Sequence, residues 1–73
     1  MEPEILTTQE QSRLMRLLEL IRSANRLINL YKDDTDESSQ FSLRQYQDLK
    51  AEYLEELETL MTPFGIHIQQ QAA

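Results

Sequence analysis

The residues with chemical potential in this chain are few. His67 is the only histidine and there is no cysteine. A zinc site would therefore draw mostly on carboxylates, and no ligand spacing of that kind is present. His67 sits in the short C-terminal stretch TPFGIHIQQQAA, where it reads as a tail residue and not as an acid–base catalyst. Glu52, Glu55, Glu56 and Glu58 could suggest paired carboxylates. Catalytic acids need shielding to shift their pKa, and these four fall on the polar side of a helix.

The stretch DTDES at 34–38 opens like a calcium loop. Ser39 stands where such a loop turns on glycine, and Gln45 where it needs a bidentate glutamate, so the pattern fails. With a single glycine in the chain there is no phosphate-cradling loop. No nucleophile has a base at a recognisable spacing, and two helices make a poor pocket. We expect no catalytic residue, no cofactor and no metal; the chain does not read as an enzyme.

Arg13, Arg16, Arg22 and Arg26 could meet phosphates, but no aromatic residues interleave with them. The net charge of −6 opposes nucleic-acid binding in general. No run of about 18 uncharged apolar residues spans a membrane. The N-terminal MEPEILTTQE has neither a basic start nor an apolar centre, so it does not read as a signal peptide. The expectation is a soluble, cytoplasmic protein. A basic segment with an apolar side also suits a membrane surface, but a second segment offers a matching apolar side nearby.

The elements that carry these residues follow from apolar spacing. Eleven of the eighteen residues Leu14–Tyr31 are apolar. At 100° per residue, Leu27, Leu20, Tyr31, Ala24, Leu17, Ile28, Ile21, Leu14 and Leu18 fill one arc of about half the circumference. An ordinary core-facing stripe takes roughly 100°. The spacing predicts helix one over about 8–32. Its start is signalled by the capping boxes Thr7/Glu10 or Thr8/Gln11. Ser42 with Gln45 is a third such box, and helix two is expected over about 43–61, with a narrower arc of Leu49, Leu60, Tyr53, Tyr46, Leu57, Leu43, Met61 and Leu54.

The intervening 33–41 holds four acids and two serines and reads as a solvated, mobile acidic loop. Pro63 should push Thr62 out of helical geometry and Gly65 should complete a turn. In the tail 62–73, Phe64, Ile66 and Ile68 are expected to fold over the open end of the helix pair, with 69–73 disordered.

The architecture expected is all-α: one domain, an antiparallel two-helix hairpin that pairs with a second copy into a four-helix bundle. The expected core is Leu14, Leu17, Leu18, Ile21, Ala24, Ile28, Tyr31, Tyr46, Leu49, Tyr53, Leu57 and Leu60. One neighbouring helix cannot cover half of helix one, so a homodimer interface is expected on Leu17, Leu20, Ala24, Leu27, Ile28 and Tyr31. Without disulfides or metal, a chain of 73 residues is short of stability alone. Residues 8–32 carry a net +3 and 42–62 a net −3, which favours unlike helices side by side.

Two polar residues interrupt the arcs. Asn25 is the candidate for fixing register. Lys50 is expected to lay its stem on the apolar face with its ammonium outside. Met15 and Leu30 lie on the polar side of helix one, as scattered surface apolars or as contacts for another protein. Two functions follow: a self-associating protein–protein assembly module, or a small acidic binder of a basic partner protein, such as an inhibitor, an antitoxin-like partner or an adaptor.

Overall fold

The computed structural model describes residues 5–68. Two α-helices fill most of it: α1 over Thr8–Tyr31 and α2 over Glu37–Met61, followed by a single 3-10 turn over Thr62–Phe64. The two helices pack against each other along their length. No strand occurs among the described residues.

α1 begins at the capping box that the sequence offered first. Thr7 is the N-cap: Glu10 N–H donates to Thr7 Oγ1 at 3.1 Å, and Thr7 N–H donates to Glu10 Oε1 at 2.8 Å. Two of the helix's orphan donors are satisfied reciprocally. The alternative start one residue later is not used, and the Gln11 side chain donates to the Leu6 carbonyl instead. The helix ends at Tyr31, with Lys32 as C-cap donating to the Ile28 carbonyl.

α2 begins six residues before the expected start at 43. The acidic loop is not 33–41 but the short link Lys32–Asp36, and Phe41 and Ser42 are inside the helix. Asp36 is the N-cap, accepting from Ser39 N–H at 3.2 Å. Glu37 follows in the first turn, where a negative charge suits the helix N-terminus. Ser39 Oγ also donates to Asp34 Oδ2 and Asp36 Oδ2, and Gln40 Nε2 to the Asp34 carbonyl. The link is therefore shorter than the loop expected, and its side chains hydrogen-bond to the first turn of α2. Ser42 with Gln45 matches the capping-box pattern better than Asp36 with Ser39, which is why the sequence pointed to the wrong start.

Pro63 does not eject Thr62. Thr62 keeps right-handed helical angles as the C-cap of α2 and opens the 3-10 turn in which Pro63 sits. Proline is tolerated there because a first-turn residue needs no N–H partner. Gly65 then takes φ 73°, a left-handed conformation open to glycine at little cost. Its N–H donates to the Thr62 carbonyl at 2.9 Å, and Ile66 N–H to the Met61 carbonyl at 3.4 Å, closing the helix end. Phe64 and Ile66 remain exposed, so they do not cover the open end of the pair as expected; Ile68 is partly buried. The expectation for residues 69–73 lies outside the described residues.

Two contacts fix how the helices run. Arg13 Nε donates to Glu56 Oε2 at 2.6 Å near the start of α1 and the end of α2. At the other end the rings of Tyr31 and Tyr46 stack, centroids 6.1 Å apart and 11° from parallel. The pair is antiparallel. Among the described residues the buried apolar ones are Leu17, Ala24 and Leu57. The Cα trace measures 55 × 22 × 13 Å with a radius of gyration of 15.1 Å. A compact domain of this length has a radius of gyration of about 11 Å. Two helices side by side make a layer one helix thick, and such a layer has two broad faces.

Candidate interaction surface

The site-bearing feature is the surface on either side of the buried seam. The seam runs through Leu17 and Ala24 on α1 and Leu57 on α2, with Tyr31, Tyr46 and Tyr53 partly buried along it. Viewed from the start of α1, successive residues of α1 turn clockwise. Along α2, which runs back, they turn anticlockwise. Residues just past the seam in angle on both helices therefore share one face, and residues just before it share the other.

The first face carries Leu14, Leu18, Ile21 and Asn25 from α1 with Leu43, Leu54 and Met61 from α2. The second carries Leu20 and Leu27 with Leu49 and Leu60. The Arg13–Glu56 ion pair lies at the edge of the seam toward the second face. Six apolar residues thus stand on the first face. Four stand on the second, which is bordered by the ion pair.

Burial corrects several sequence expectations. Leu18 and Leu49, expected in the core, are 46% and 37% exposed. Leu17 and Ala24, expected in the core and also at an interface between chains, are buried inside the hairpin, at 0% and 4% exposure, and so belong to the core. They lie in the seam because α2 sits directly over the centre of the α1 arc, so the flanks of that arc are what remain outside. Leu20, Leu27, Ile28 and Tyr31 are partly buried, as are Asn25 and Lys50. Met15 and Leu30 are exposed on the outer side of α1, at 59% and 64%. Sequence reasoning did not single out Phe41, which is 62% exposed; its place in a helix became visible only with the early start of α2.

Chemically the surface is an apolar field edged by charge. α1 carries four arginines and two glutamates, α2 six acids, one arginine and one lysine. Among the described residues no group of three histidines or acids could hold a metal ion, and no helix is long and apolar enough to cross a membrane. His67 Nδ1 lies 3.7 Å from Glu58 Oε1, both of them on the surface. A shallow depression beside Met15, lined by Gln11, Ser12, Arg16 and Glu19, is formed by α1 alone. Compared with protein-family models, with curated proteins and with solved structures, the chain matches none.

Proposed function

We propose that this protein is a non-enzymatic assembly module whose function is association with a second copy of itself, through the apolar surface that helix one shares with helix two. The observation that carries this reading is apolar exposure: Leu18 on α1 and Leu49 on α2 stay 46% and 37% exposed after the two helices pack. A stable interface of standard size takes ~800 Å² from each partner. One broad face of two helices about 36 Å long and about 20 Å across offers roughly 700 Å² of footprint.

Energy points the same way. Three buried apolar side chains among the described residues, one of them an alanine, are a small core. Fully burying one leucine contributes about 1.5–3 kcal/mol, which is large against the stability a domain of this size reaches. A four-helix bundle of two hairpins would bury the flank that one hairpin leaves wet. The absence of cysteine suits a reducing, cytoplasmic setting for such a module.

The test is the mass of the purified chain in solution at micromolar concentration. Twice the chain mass, stable on dilution, supports the reading. A monomer of full helix content at that concentration overturns it. Met15 and Leu30, exposed on the outer side of α1, favour a second reading, in which an acidic protein of net charge −6 docks a basic partner. That reading expects a loose monomer that gains helix only when the partner is added.

A further inference from the structure

The two broad faces are not equivalent, and charge distinguishes the two ways in which a second hairpin could sit. Resting on the self-association proposed above, we propose that the first face is the interface, and that its two-fold axis runs parallel to the helices. In this arrangement α1 of one hairpin lies along α2 of its partner, and both Lys32–Asp36 links sit at the same end of the bundle.

The face follows from what it presents. Leu18 is the most exposed of the arc leucines on α1 and stands close to the middle of the helix, where the interface would be centred. Leu14, Ile21, Leu43, Leu54 and Met61 surround it and are only partly buried by the hairpin itself. The second face keeps the Arg13–Glu56 pair, whose side chains are each 48% exposed; burying that pair would cost desolvation for little return.

The axis follows from charge and from two polar residues. A two-fold axis perpendicular to the helices would set α1 against α1 and α2 against α2. That sets a helix of four arginines and two glutamates against its own copy, and a helix of six acids, one arginine and one lysine against its own copy. The parallel axis sets the basic helix of each chain against the acidic helix of the other. Arg22, on the outer edge of the first face, then lies about one turn from Glu55 of the facing α2, on an edge that also carries Glu58 and, farther along, Arg44.

The register set by Arg13–Glu56 and Tyr31–Tyr46 places Asn25 and Lys50 at nearly one height along the pair. The parallel axis preserves heights. It therefore brings Asn25 of each chain opposite Lys50 of the other, where the amide oxygen can accept from the ammonium. The perpendicular axis, centred near Leu18, instead sets Asn25 toward Gln11 of the facing α1, away from either Lys50. A polar residue at a seam helps to fix register.

The test uses the full chain, which has no native cysteine, with Thr35→Cys carrying a nitroxide label in the exposed link. Dipolar distances are measured on the dimer, and sedimentation is run alongside on Leu18→Asn and Leu20→Asn. The parallel axis expects a label separation within about 25 Å, since both links share one end and neighbouring axes are 8–10 Å apart. A separation beyond about 36 Å, the length of a 24-residue helix, overturns the axis while leaving self-association standing. Leu18→Asn should weaken dimerisation at least 100-fold and Leu20→Asn less than tenfold; the reverse order overturns the face. A monomeric labelled chain that keeps full helix content overturns both this assignment and the self-association beneath it. Circular dichroism of Leu18→Asn at protein concentrations above its weakened dissociation constant should return the wild-type helix content, so loss of the dimer is read apart from loss of the fold.

Discussion

The replacement of Leu18 by asparagine separates stability of the hairpin from stability of the dimer. In the isolated hairpin Leu18 is 46% exposed, so the fold has already gained about half of what this side chain can give. Full burial of a leucine contributes about 1.5–3 kcal/mol, so the remaining half is about 1 kcal/mol per chain. Each dimer contains two copies, giving about 2 kcal/mol of lost apolar burial. Two asparagine amides at the rim of an interface add a desolvation cost, about 1–3 kcal/mol each when no partner is found and less where water reaches them. A total of about 3–5 kcal/mol per dimer is expected, a weakening of roughly 100- to 4,000-fold. Sedimentation equilibrium over a concentration series reads this as a rise in the dimer dissociation constant. Circular dichroism on the same samples reads the hairpin. Met15→Asn, on the outer side of α1, is the matched control and should leave the constant within threefold. If Leu18→Asn also stays within threefold with its helix content intact, the apolar flank of α1 is not an interface.

Further outcomes follow from the same structure. Because the dimer stabilises the folded chain by mass action, the thermal midpoint should rise by several degrees between 1 and 100 µM protein, about 2.7 kcal/mol of linkage for each hundredfold above the dissociation constant; a midpoint independent of concentration contradicts this. Asp36→Ala removes the N-cap of α2 and should cost about 1 kcal/mol, roughly 4–8 °C in the thermal midpoint, whereas Ser42→Ala, inside the helix, should change it by less than half as much. Equal effects of the two would place the start of α2 elsewhere. Gly65→Ala forces a side chain into the left-handed region at φ 73°, though no atom within 4 Å would be met, and should cost about 1–2 kcal/mol locally, read as faster hydrogen exchange at the Ile66 amide. Arg13→Ala breaks an ion pair half open to solvent and should change stability by less than about 1 kcal/mol, with little response to added salt.

The helices themselves were legible because their signals are local. A 3.6-residue period over more than twenty residues, opened by Thr7 and Glu10, leaves few alternatives to α1. The start of α2 was not legible for the same reason: competing local signals stood six residues apart. Ser42–Gln45 has the residue types of a capping box. Asp36 has only an acid with serines behind it, yet Ser39 and Gln40 fold back onto Asp34 and Asp36 and satisfy the first turn there. A nine-residue acidic stretch invites reading as a loop, although its second half already has helical company in Phe41 and Leu43.

The position of the surface was harder to read than its existence. The width of the α1 arc said that one neighbour could not cover it; in the hairpin Leu18 is the arc residue left exposed, with Leu14, Leu20, Ile21 and Leu27 partly buried. Which residues stay outside depends on where α2 lies across the arc, and angles on one helix do not contain that information. α2 settles over Leu17 and Ala24, the arc's centre, since that position lets its own stripe of Tyr46, Tyr53 and Leu57 meet the most apolar surface at once. The arc is then divided into two flanks instead of being left whole on one side. Handedness does the rest: because α2 runs antiparallel, Leu54 joins Leu18 on one face and Leu49 joins Leu20 on the other. A second molecule therefore meets a surface built from both helices, and substitutions on α2 at Leu54 should disturb association as much as those at Leu18. An interface confined to helix one would leave Leu54→Asn without effect on the dissociation constant, and that result would show that the hairpin, as packed here, is not the unit that associates.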